Sequence, residues 1–100
     1  MTAETLLQTG EFTLLTEIFQ NEIKSVYCCD LLSIVMGKAP PECAWVTVMG
    51  GVNSIAVAVL AEVSCIVLAE NALLDETAKI RAEQQNVTVL KTPLSVFEAL

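Results

Sequence analysis

AWVTVMGGVNSIAVAVLAEVSCIVLA, residues Ala44 to Ala69, is the stretch whose reading decides the fold. It runs strand, glycine turn, helix, strand. Trp45 to Val48 is β-type, Ile55 to Ala61 is rich in alanine and tolerant of helix, and Gly50-Gly51 separates the two. No charged residue lies between Glu42 and Glu62, so a membrane span has to be weighed, for which about 20 apolar residues suffice. The composition opposes it. Gly50-Gly51 and the polar Asn53-Ser54 fall in mid-span, and the flanks are acidic, with no Lys or Arg close by to orient a span. A buried strand and a buried helix joined by a tight turn produce the same pattern without a membrane.

The rest of the chain has to cover that unit. One hundred residues suit one domain, 1–100, and 54% of them are hydrophobic, above the usual ~45–50%. A chain this short buries only a modest share of its surface, so the excess points to a partner, most simply a second copy in a homodimer, with Trp45 the large aromatic near the organising unit. Lys24, Lys38, Lys79, Arg81 and Lys91 stand against twelve acids, and the net charge of −7 repels phosphate backbones and anionic membranes. Nucleic acid and membrane are therefore not expected partners. Met1 is followed by a polar, acid-bearing segment in place of a signal peptide, which predicts a cytoplasmic protein.

Working outward, Thr2 is placed to cap a helix over Ala3 to Gln8, with Gly10 as its stop. Phe12 to Thr16 reads as a first strand, Phe19 to Glu22 as loop, and Ile23 to Cys28 as a second strand by its alternation. Asp30 is expected to cap a helix from Leu31 to Met36 that Gly37 ends, and Ala39-Pro40-Pro41 then forces an extended connection. Cys43 to Met49 is the third strand, Asn53 the cap of a helix over Ser54 to Val63, and Cys65 to Ala69 the fourth strand. Asp75 caps a polar helix running to about Gln85, with Leu74, Ala78 and Ala82 on its inner face. Val87 to Lys91 is the fifth strand, and Thr92 caps a last helix that opens on Pro93 and docks through Val96 and Phe97. From Ile23 onward strand and helix alternate, which predicts an α/β domain of three-layer type with a mostly parallel sheet of about five strands.

No catalytic set emerges, and the chain is expected not to be an enzyme. Ser33, Ser54 and Ser95 have no histidine to activate them, and Glu11, Glu17, Glu70 and Asp75 are scattered singly. Cys28 and Cys29 are adjacent, so no C-x-x-C exists. They leave one strand where Cys43 and Cys65 begin theirs, on the order of 15 Å away in a parallel sheet with strands of about five residues. No metal or other cofactor is expected, and Cys43 and Cys65 read as small buried hydrophobes. Gly50-Gly51-Val52-Asn53 matches neither the phosphate loop nor the dinucleotide pattern, and reads as a strand-to-helix turn in need of positive φ.

Asp30-Leu31-Leu32-Ser33, the unit Val46 to Asn53, Cys65 to Asn71, and Val87 to Ser95 together resemble the small stand-alone DRTGG-type domains. The pattern is similar to the N-terminal domain of HPr kinase/phosphorylase and to a domain of some phosphotransacetylases, and spans about residues 20 to 100. The letters D-R-T-G-G do not occur; the turns after the third and fourth strands read Gly51-Val52-Asn53 and Ala69-Glu70-Asn71. The resemblance implies a non-catalytic regulatory or ligand-sensing module, of a kind found in anaerobic bacteria and often beside iron-hydrogenase genes. Kinase activity is not implied, because the kinase domain is absent from the sequence given.

Ligands of parallel α/β sheets sit outside the carboxyl ends of the strands. Here that edge is predicted to gather Asp30, Gly50, Gly51, Asn53, Glu70, Asn71, Lys91 and Thr92. Helix N-termini and Lys91 favour a small anion, while Asp30 and Glu70 suit hydroxyls or a cation. The alternative is an interaction or scaffold module with no small ligand, its apolar excess serving a protein partner.

Overall fold

The computed structural model, which describes residues 2–16 and 22–95, realises the alternating pattern. In chain order the elements are α1 (Ala3–Leu7), β1 (Thr13–Leu14), β2 (Ser25–Cys28), α2 (Leu32–Lys38), β3 (Cys43–Thr47), α3 (Val52–Ala61), β4 (Cys65–Leu68), α4 (Glu76–Gln84) and β5 (Thr88–Lys91). The sheet has five strands in the order β1-β5-β4-β3-β2. Strands β2 to β5 are mutually parallel, and β1 runs antiparallel along β5. The fold class is α/β, as the alternation predicts.

Strands consecutive in sequence are also neighbours in the sheet from β2 to β5. Each crossover therefore steps one strand the same way, which lays α2, α3 and α4 on one face. Alternation along the strands then sorts the core into two halves. Trp45, Ile66, Leu68 and Val89 point to the helix face and meet Val35, Ile55, Ala58, Ala78 and Ala82. Ala44, Val46, Cys65, Val67 and Leu90 point the other way, against Leu6 and Leu7 of α1 and Phe12 and Leu14 around β1. Both faces of β3 and β4 are closed, which is why these strands read as unbroken apolar runs.

Local chemistry explains several boundaries. At α1, the Thr2 hydroxyl accepts from the Thr5 N–H while the Thr5 hydroxyl accepts from the Thr2 N–H, a reciprocal cap. Glu62 ends α3 in the left-handed conformation, φ 59, a position where glycine is common. Asp75 occupies the N-cap position of α4, and Ala78 and Ala82 are its buried residues, as expected. Other expectations need correction. Asp30 does not cap α2, whose N-cap residue is Leu31; that helix continues through Gly37 to Lys38. Asn53 does not cap α3, since the N-cap residue is Gly51 and Asn53 lies inside the first turn. Residues 93–95 are not helical, and the predicted docking through Val96 and Phe97 falls outside the described residues, as does most of the loop assigned to Phe19 to Glu22.

Gly50 and Gly51 also depart from the sequence reading, because neither has positive φ; Gly51 sits at φ −91, ψ 171. Gly50 is required by close approach instead. A Cβ there would lie 1.9 Å from the Leu73 carbonyl oxygen. Trp45, one of the grounds for a homodimer, is fully buried. The apolar excess surfaces elsewhere, on Leu31, Leu60, Leu73 and Ile80.

The cysteines fall as their spacing implies. Cys28 ends β2 opposite Val46, whereas Cys43 and Cys65 begin β3 and β4. Cys43 and Cys65 moreover face opposite sides of the sheet. Burial pushes the Cys65 thiol up to about 12, with a smaller push from Cys43, so it remains a neutral hydrophobe.

No helix among the described residues is long and apolar enough to cross a membrane.

Candidate functional site at the carboxyl edge of the sheet

The parallel strands deliver four loops to one edge, and backbone and side-chain hydrogen bonds lock these loops in series. Asp30 ties the first to the second. Its Oδ1 accepts from the Thr47 hydroxyl at 2.7 Å and from the Val48 N–H at 3.1 Å, and the Thr47 Oγ1 accepts in turn from the Met49 N–H at 3.3 Å. Just below, the indole N–H of Trp45 donates to the Cys29 carbonyl at 2.9 Å. Asp30 is thus committed at least in part to structure, holding the buried Thr47.

The third loop lies across the second. The Asp75 N–H donates to the Gly50 carbonyl at 3.0 Å, and Leu73 crosses where Gly50 has no side chain. Glu70 and Asn71 turn the chain in consecutive left-handed conformations, φ 55 and 54. Their N–H groups donate to the carbonyls of Leu94 and Thr92 at 2.8 and 2.9 Å, which joins the third loop to the fourth. Thr92 is buried. Its N–H donates to the Leu68 carbonyl at 2.9 Å and its hydroxyl accepts from the Leu94 N–H at 3.3 Å, so it braces a turn and does not cap a helix.

All eight predicted residues therefore lie on or beside this edge, but in different capacities. Gly50 and Thr92 are structural, and Asp30 is largely so. Gly51 is the N-cap residue of α3, and Asn53, Glu70 and Asn71 present exposed side chains. Lys91, half-buried at the end of β5, lines a hollow of about 190 Å³ together with Lys79, Leu15 and residues 72–74. Lys79 escaped the sequence reading, which put it on the outer face of α4. Its signal is that the chain has only five basic residues; that two of them share a corner emerges only when α4 packs beside β5.

A larger hollow, about 380 Å³, lies at the opposite edge among Glu22, Glu42, Glu62, Ser64 and Asn86. Its polar groups are already engaged. Glu42 pairs with Lys24 at 2.8 Å and the Ser64 hydroxyl donates to the Glu22 carbonyl. Among the described residues no group of three or more His, Cys, Asp or Glu is arranged to hold a metal ion.

Removing the Asp30 carboxylate tests the first lock. In Asp30→Ala the buried Thr47 hydroxyl and the Val48 N–H lose their acceptor, at an expected cost of about 1–3 kcal/mol. Urea denaturation measures this; a loss below about 0.5 kcal/mol would show that the loops do not depend on Asp30.

Neither protein-family models nor curated proteins match this sequence. Among solved structures, the chain is similar to the crystal structure of the CBS and DRTGG domains of the regulatory region of Clostridium perfringens pyrophosphatase, complexed with its activator, diadenosine tetraphosphate. The TM-score is 0.74 at 15% identity, over 98% of this chain and 44% of that one. The likeness is one of fold, and this chain spans less than half the length of that regulatory region.

Proposed function

We propose that the chain is a single DRTGG-like domain, residues 1–100, that senses a small anionic ligand at the carboxyl edge of its sheet and catalyses no reaction. The observation that carries this reading is the interlocked set of four loops beside a hollow holding Lys79 and Lys91, two of the five basic residues in a chain of net charge −7. Ligand contact at any one loop reaches the other three through the bonds of Asp30, Gly50 and Asn71. The fold shared with a regulatory region that binds a nucleotide activator supports the same reading. A 190 Å³ hollow is smaller than the ~300–1,000 Å³ of drug-sized sites, so it suits a phosphoryl or carboxyl head group with the remainder lying over the edge. The module acts as a cytoplasmic homodimer in this reading, and the family resemblance of the sequence ties it to anaerobic, iron-hydrogenase-related metabolism.

A thermal-shift screen against nucleotides, acyl phosphates and metal ions tests it. An anionic compound at about 100 times its Kd adds about 2.7 kcal/mol of stability. Lys91→Ala is expected to weaken the hit about tenfold or more, as loss of one charge-assisted hydrogen bond implies, and Asn53→Ala several-fold, both with the unliganded melting temperature nearly unchanged. A hit that survives both substitutions, or that maps to the edge bearing Glu42 and Glu62, overturns the assignment. The second reading, a docking module without ligand, draws on the exposure of Leu31, Leu60 and Leu73, and uniform silence in the screen selects it.

A further inference from the structure

Helix α3 is apolar all the way round. None of its ten residues is charged; Ser54, Ile55, Val57 and Ala58 are buried, yet Val52, Ala56, Val59 and Leu60 on the opposite side are exposed, Leu60 at 67%. A helix that is hydrophobic on every side is normally covered on every side. The exposed residues recur at helical spacing and form one stripe along α3, the middle helix of its layer. Beside the stripe, α3 and α4 leave a groove of about 220 Å³, floored by Ile55 and Ala56 and bordered on α4 by Arg81.

We infer that a second copy of this chain covers this face, α3 packing antiparallel on α3 about a two-fold axis. The inference rests on the homodimer of the proposed function and names its surface. A two-fold contact requires one patch that is self-complementary, and here a ridge ending in Leu60 stands next to a groove of matching chemistry. The small Ala56 at mid-stripe lets the two helices approach, while Val52 of each copy meets Leu60 of the other. Charge selects the same face. Copies of net charge −7 repel wherever acids meet, and α3 brings none, while Arg81 at the groove margin is offered to the other copy's acidic surface. Area is sufficient as well: a molecule 30 × 25 × 24 Å across has faces close to the ~800 Å² per partner of a stable interface.

Sedimentation equilibrium on the full chain decides it. The wild type is expected at twice the 10.8 kDa chain mass at micromolar concentration. Leu60→Glu is expected to weaken the dimer at least tenfold with an unchanged circular dichroism spectrum, and Leu31→Glu, an equally exposed leucine off this face, to leave it intact. A wild type found only near 10.8 kDa overturns both the homodimer and its surface. A dimer that persists in Leu60→Glu, or that Leu31→Glu disrupts as strongly, overturns the surface alone. Should Leu60→Glu lose its fold, Ala56→Glu on the same stripe takes its place under the same criteria.

Discussion

Trp45→Ala is expected to remove about 3–5 kcal/mol of stability, the largest effect of any single truncation here. The side chain is fully enclosed between β3 and the helix layer, against the core that Val35, Ile55 and Ile66 also build. Its loss empties the widest space in the helix-side core and strips the Cys29 carbonyl of its indole donor. A small domain has only about 5–15 kcal/mol in total, so this variant approaches the folding threshold. At about 4–8 °C per kcal/mol, the melting temperature should fall by at least about 12 °C. Trp45→Phe, which keeps most of the volume and loses the hydrogen bond, should lie between the two. A fall of only a few degrees in Trp45→Ala would show that the indole is not enclosed by the helix layer.

The second large effect distinguishes two adjacent glycines. In Gly50→Ala the new methyl would meet the Leu73 carbonyl oxygen at 1.9 Å and the Leu73 carbonyl carbon at 2.9 Å, both backbone atoms. The third loop must move away, at a cost near the upper end of the ~1–3 kcal/mol typical of overpacking. That movement also breaks the bond from the Asp75 N–H to the Gly50 carbonyl. In Gly51→Ala the nearest atom is the Asp75 Oδ2 at 3.7 Å, and φ −91 is open to any residue. There, a smaller unfolded-state entropy opposes a poorer N-cap, so the net change stays within about 1 kcal/mol. Paired denaturation curves measure the difference, and faster hydrogen exchange at the Asp75 amide reports the loop shift in Gly50→Ala. Equal destabilisation by the two substitutions would show that the third loop does not rest on Gly50.

These glycines mark the boundary between what was legible in the chain and what was not. Residues Ala44 to Ala69 alone determined the strand-turn-helix-strand unit, because burial on both faces demands unbroken apolar strands, and glycine must break the run. The alternation from Ile23 to Lys91 then determined the α/β class and a mostly parallel sheet. Local side-chain chemistry determined the cap at Thr2, where both partners lie within one turn. Each of these features depends on residues close in sequence. The others depend on pairs far apart. Asp30 looked like a helix cap, but its carboxylate finds a stronger offer across the sheet in the Thr47 hydroxyl and the Val48 N–H. Gly50 looked like a residue in need of positive φ, and is in fact small because a loop more than twenty residues later passes over it. Lys79 joins Lys91, and Leu60 faces solvent while Trp45 does not, only through the packing of α3 and α4 on the sheet. Periodicity records which residues need burial and which turns need glycine; the choice among competing long-range partners is made by tertiary geometry, where a few ångströms decide which donor reaches which acceptor.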